Sequence, residues 1–113
     1  MDQNNFGLGG PLMDLVVEGS DDQPILCARG EIDFSTNRVF ESSLVTLAER
    51  RPSKLIVDLS AVSFLDSSGL HTLIAVSEQL SQHDGSLVLR RPANKILKII
   101  EITGTICSFI IEE

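Results

Sequence analysis

Residues 54 to 91, KLIVDLSAVSFLDSSGLHTLIAVSEQLSQHDGSLVLRR, decide the fold. Residues 54 to 59 hold Leu55-Ile56-Val57, an unbroken aliphatic run of strand length. A run apolar on both sides is expected to form a central strand covered on both faces. From residue 67 to residue 82 the period becomes helical, with Leu70, Leu73-Ile74, Ser77 and Leu80 on one face. His83-Asp84-Gly85 closes the helix and turns the chain. Residues 86 to 91 carry Leu87-Val88-Leu89, a second buried strand. Strand, helix and strand in this order predict two parallel strands joined by a crossover.

The flanks extend the same alternation. Residues 34 to 50 place Val39-Phe40, Leu44 and Leu47-Ala48 at helical spacing. Arg50-Arg51 suit the negative end of that helix, and Pro52 stops it. Residues 92 to 103 form a third helix, apolar at Ile96, Ile99-Ile100 and Thr103, with Gly104 as its cap. Residues 106 to 111 read as a last strand. Upstream, residues 13 to 18 and 24 to 30 are two strands around a Ser20-Asp21-Asp22 turn, and they can form a hairpin. Residues 1 to 11 are polar and glycine-rich and are expected to be a flexible tail, leaving a single domain over residues 12 to 113. The prediction is an α/β domain: a mixed, mostly parallel sheet of about five strands with helices packed against it.

Composition narrows the function. The chain has 113 residues, a formal net charge of −7 and a pI of about 4.7. A nucleic-acid binder needs a basic face to neutralise phosphates, so direct nucleic-acid binding is not expected. The two basic clusters, Arg50-Arg51-Lys54 and Arg90-Arg91 with Lys95 and Lys98, read as solvated edges of an acidic protein. No apolar run is long enough for a bilayer, and the first residues do not read as a signal peptide. A cytoplasmic protein without membrane attachment is expected. Cys27 and Cys107 sit among apolar residues and read as two buried thiols; a redox pair would need their Cα atoms within about 7 Å. His71 reads as a solvated helix residue and His83 as turn surface. Neither has a spacing with cysteines or carboxylates that suggests a metal, and no cofactor is expected.

The chemistry-bearing segment is Phe64-Leu65-Asp66-Ser67-Ser68-Gly69-Leu70, where a buried strand passes into a helix. Asp66, Ser67 and Ser68 are all good helix N-caps, so the segment serves as an ordinary helix start on any reading. Gly69 permits a close backbone approach or a tight turn. Two adjacent hydroxyls at a helix N-terminus also offer a modifiable group where the helix dipole favours negative charge. A phosphate on Ser67 would add about −1.5 to −2 charges beside Asp66. No nucleophile–base pair, nucleophile elbow or phosphate-binding loop is visible, so no catalytic residues are expected.

That segment closely resembles the signature of the STAS-domain anti-sigma factor antagonists. Gly30-Glu31-Ile32-Asp33 is similar to a motif at the end of an early strand of that family. Ile96-Leu97-Lys98-Ile99-Ile100 with Thr103-Gly104 is similar to its last-helix segment. The resemblance covers residues 12 to 111. It implies a partner-switching protein, not an enzyme, in a bacterial transcription circuit. The unphosphorylated form would bind an anti-sigma factor that is also a serine kinase, releasing a sigma factor. Phosphorylation of Ser67 would end that binding, and a PP2C-type phosphatase would restore it. By the same resemblance Asp33 lies near Ser67, and Asp33, Asp66, Ser68, Gly69 and Leu70 form the partner-binding surface of a protein that is a monomer when free. A regulatory or scaffold subunit of a stressosome-like or transporter complex is the alternative role. His71 stands where many relatives carry a small residue.

Overall fold

The structure, a computed structural model, describes residues 13 to 113; the tail expected over residues 1 to 11 lies outside them. In chain order the elements are β1 (Met13–Gly19), β2 (Pro24–Ile32), α1 (Asn37–Ala48), β3 (Lys54–Leu65), α2 (Ser67–Ser81), β4 (Ser86–Arg90), α3 (Asn94–Ile102), a 3-10 turn (Ile106–Ser108) and β5 (Ile110–Glu112). The five strands form one sheet in sequence order. β1 and β2 are the antiparallel hairpin, and every later pair is parallel.

The hairpin turns at Gly19, whose φ of +84° suits glycine and whose absent Cβ would meet the Gln23 carbonyl oxygen. Ser20 Oγ accepts from the Gln23 N–H at 3.1 Å and closes the loop. After β2, each crossover carries the chain one strand further in the same direction. Right-handed crossovers taken always in one direction place all their helices on one face of the sheet. Phe40 and Leu44 of α1, Leu73 and Val76 of α2, and Ile96 and Ile100 of α3 accordingly share one core with Leu15, Leu26, Leu55, Val57, Leu87 and Leu89.

The sheet therefore differs from the expectation of a β3 covered on both faces. Ile56 and Val88 alternate to the side away from that core. They are 5% and 2% exposed, sheltered by a row of register partners, Ile25, Ile56, Val88 and Ile110, and not by a helix of the described residues. The next row on that side, Cys27, Asp58, Arg90 and Glu112, is polar and ion-paired: Arg90 with Glu112, and Asp58 with Arg91 at 3.6 Å. Cys27 lies here half-buried, its thiol pushed up by burial and by Glu18 and Asp58. Cys107, expected to be buried, is exposed in the 3-10 turn. The strand bearing Cys27 and the one that Cys107 leads into are three strand spacings apart, about 14 Å, so the two thiols do not pair.

Some boundaries and faces differ from the expectation. β3 runs on to Leu65 because Val62 and Leu65 pair with Gly30 and Ile32 of β2. The last strand shrinks to three residues: Ile106 and Phe109, one helical turn apart, both face the core through a 3-10 turn in which Phe109 N–H bonds Ile106 C=O. Thr103, expected on the buried face of α3, is exposed, and its hydroxyl donates to Ile99 C=O at 2.8 Å. Gly104 does follow α3 at a φ of +74°, as its capping role requires.

Candidate docking face

The carboxyl ends of β2 and β3 lie side by side, with Ile32 in register with Leu65. Each strand is followed at once by an aspartate, Asp33 and Asp66. The parallel register thus brings together two motifs more than thirty residues apart, at the strand edge where parallel sheets place their sites. The pairing of β2 with β3 is irregular just before this point, between Cys27 and Arg29 and between Gly30 and Glu31. Such irregularities redirect side chains beside functional surfaces.

Asp66 ties the two ends together. Its N–H donates to Ile32 C=O at 3.1 Å. One carboxylate oxygen, Oδ2, accepts the Phe34 N–H at 3.0 Å. The other, Oδ1, caps α2 by accepting Ser68 N–H at 2.9 Å and Gly69 N–H at 3.2 Å, and it accepts the Ser68 hydroxyl as well. Donors crowded on the ionised form, the Ser68 hydroxyl first among them, hold Asp66 below its ordinary carboxylate value.

Asp33 is surrounded in a similar way. Its Oδ1 accepts Ser35 N–H at 2.9 Å, the Ser35 hydroxyl at 2.7 Å and Thr36 N–H at 3.1 Å. The Ser35 hydroxyl is the chief reason that its carboxyl, too, lies below the ordinary value. Thr36 Oγ1 returns a bond to Glu31 C=O at 2.8 Å. These bonds hold residues 33 to 36 in a turn, so α1 starts at Asn37, three residues later than its spacing suggests. Phe34, read from the sequence as the first helical residue, is left outside the helix and is 86% exposed.

The two adjacent hydroxyls have different environments. Ser68 is half-buried and its hydroxyl is bound to Asp66. Ser67 is exposed, and among the described residues its hydroxyl makes no hydrogen bond. Gly69 is buried: a Cβ there would stand 2.5 Å from Leu65 Cδ1 and 2.7 Å from Ile32 Cγ2. Its missing side chain lets the first turn of α2 rest on the ends of β2 and β3. Leu70, expected on the partner surface, is only 6% exposed and belongs to the core. Asp33, Asp66, Ser67 and Ser68 thus stand at the surface, with Gly69 and Leu70 beneath as their seat. Thr72 Oγ1, donating to Asn37 Oδ1 at 3.2 Å, ties α2 to α1 behind them. His71 is exposed on α2 one turn from Ser67, and His83 is exposed in the turn after that helix.

The sequence pattern of the STAS domain matches residues 14 to 113. The chain belongs to the STAS domain family. It is 33% identical over 75 residues to an anti-sigma-B factor antagonist of Bacillus subtilis, covering 66% of this chain and 68% of that one. It is 41% identical over 58 residues to the anti-sigma-F factor antagonist RsfB of Mycobacterium tuberculosis, about half of each protein. A crystal structure of an anti-sigma factor antagonist from Mycobacterium paratuberculosis superposes with a TM-score of 0.76 at 33% identity, over 92% of this chain and 89% of that one. The single α/β domain with its five-stranded mixed sheet and three helices is the architecture of STAS structures. No helix among the described residues is long and apolar enough to cross a membrane.

What the residues alone did not reveal is the turn at 33 to 36. Asp33, Ser35, Thr36 and Asn37 are all residues that compete with the helix for backbone hydrogen bonds. Four of them in five positions were the available signal that the helix begins later.

Proposed function

We propose that this STAS domain is an anti-sigma factor antagonist whose grip on its partner is released by a phosphate on Ser67. In its free form it binds an anti-sigma factor that is also a serine kinase, and so liberates a sigma factor. A PP2C-type phosphatase resets the modified protein. The names of its relatives support the role, and one observation carries the choice of residue: Ser67 is exposed and its hydroxyl makes no hydrogen bond among the described residues, while its neighbour Ser68 is held by Asp66.

The physics of the switch follows from that placement. A kinase that modifies Ser67 must bring the hydroxyl up to a bound nucleotide, so the surface opposite Ser67 carries phosphate charge. Once Ser67 is itself a phosphoester, two anions and the Asp66 carboxylate face one another in a closed interface. Truncating or mismatching a buried charged contact costs roughly 2–5 kcal/mol, and each 1.4 kcal/mol is about tenfold in affinity. The fold tolerates the phosphate because it sits at the positive end of α2. The modification therefore dissolves the complex without unfolding the domain.

Affinity for the cognate anti-sigma factor tests this reading. Ser67→Ala should bind as tightly as the unmodified protein even after incubation with ATP, whereas Ser67→Asp should bind poorly. Equal affinities of the two variants would refute it.

A further inference from the structure

Phe34 has no role in the fold that its sequence position foretold, and the surface it occupies gives it another. We propose that Phe34 is the apolar anchor of the docking face, inserted into a socket on the anti-sigma factor beside the site that receives Ser67. This rests on the function proposed above and adds to it the residue that supplies grip.

Among the large apolar side chains of the described residues, Phe34 is the most exposed, at 86%, ahead of Ile102 at 76% and Val17 at 54%. An aromatic ring held in water is a latent source of binding energy, and buried aromatic anchors dominate protein interfaces. The backbone carrying it is held in place in advance. Its own N–H is bound to Asp66, the preceding Asp33 accepts three donors, and Thr36 bonds back to Glu31. Only the two side-chain torsions of Phe34 remain to be fixed on binding, so little ordering entropy is lost.

Position and charge indicate the occupant. Phe34 shares a shallow groove with Asn37, Arg38, Glu41 and Ser68, the residue next to the proposed phosphoacceptor. The carboxylate that fixes its N–H is the one that caps α2. Asp33, Asp66 and Glu41 outnumber Arg38 around it, and the chain as a whole carries −7. The matching surface is an apolar socket bordered by cations, which a kinase already gathers around nucleotide phosphates. An anionic membrane would be repelled.

Calorimetric titration of the cognate anti-sigma factor with the full chain and two variants decides the matter. Phe34→Ala should weaken binding by about 30-fold or more, the loss expected of an interface hot spot. Its melting temperature should match the unsubstituted protein, because the ring contributes nothing to the core. Ile102→Ala removes a similarly exposed apolar side chain at the far end of α3, the opposite edge of the sheet. It should bind within twofold of the unsubstituted chain. Binding of Phe34→Ala within threefold would overturn the anchor while leaving the proposed function intact. Failure of the unsubstituted chain to bind any anti-sigma factor would overturn both. Sedimentation showing that the free chain self-associates and that Phe34→Ala abolishes this would assign the ring to a second copy instead.

Discussion

Asp33 and Asp66 begin from nearly the same position and produce opposite surfaces. Both follow directly on a parallel strand, both turn one carboxylate oxygen onto several donors, and both are held below the ordinary carboxylate value. After Asp66 the captured donors are the first N–H groups of a helix. The chain then runs downward, with Gly69 and Leu70 buried within four residues. After Asp33 the captured donors belong to Ser35 and Thr36, a turn that delays α1 and leaves Phe34 outside. A capping carboxylate thus does not by itself decide whether the next residues are core or surface. That depends on whether the donors it accepts already belong to a helix that packs. The pair yields one face with the exposed Ser67 on the capped side and an apolar ring on the turn side, linked by the Phe34–Asp66 hydrogen bond.

The largest effect is expected on the capped side. Phosphorylated Ser67 should lose roughly 2–5 kcal/mol of affinity for the cognate anti-sigma factor, measured by calorimetry, with a far-ultraviolet dichroism spectrum unchanged. Next comes the seat beneath it. Gly69→Ala forces a methyl group against Leu65 and Ile32 and should cost about 1–3 kcal/mol of stability in urea unfolding. Phe34→Ala, the counterpart on the turn side, should leave stability unchanged. If Gly69→Ala were neutral, the close seating of α2 would be wrong and the contrast between the two sides would fail.

Smaller effects sharpen the comparison. Asp66→Ala removes the cap of α2 and the bond to Phe34 together, and about 0.5–2 kcal/mol of stability should be lost by the same assay. Asp33→Ala loosens only a surface turn, so its loss should be the lesser of the two, with its main effect on partner binding. Acid titration should show the smallest change. Because both carboxyls are depressed in the folded state, their contribution is fully present above the ordinary carboxylate value. The unfolded chain takes up protons first as the pH falls, so stability declines from about pH 4 downward through the folded values. In thermal melts between pH 5 and pH 3, Asp66→Ala should show a shallower decline than the unsubstituted protein.

Much of this architecture could be read from the residues because hydrophobic period and helix stops agree there. Leu70, Leu73 and Leu80, on the face read as apolar, are buried, and Ile74 and Ser77 of the same face are half-buried. Leu87-Val88-Leu89 is a buried strand, and Gly104 ends its helix as its type suggests. The hairpin followed by parallel strands was also legible, from the order of elements alone. What escaped depended on hydrogen bonds and on topology. Phe34 opens the stretch read as α1, and the side-chain bonds of Asp33, Thr36 and Asp66 hold it outside the helix. For Leu70 the helical spacing gave the core position that the structure shows, where the family resemblance had put it on the partner surface. Ile56 and Val88 look like residues covered by a helix, but a chain that always crosses in one direction leaves their face to a row of neighbouring side chains. Cys107 has apolar neighbours in sequence and none that cover it in space.

The proposed switch requires that Ser67, and not the Ser68 held by Asp66, be the hydroxyl offered to a modifying enzyme. Incubation of the full chain with its cognate anti-sigma kinase and ATP, followed by fragment mass spectrometry, tests it most directly. One phosphate per chain is expected, on Ser67, and none after Ser67→Ala. A phosphate found on Ser68, or an unmodified chain after incubation with a kinase that binds it, would contradict it.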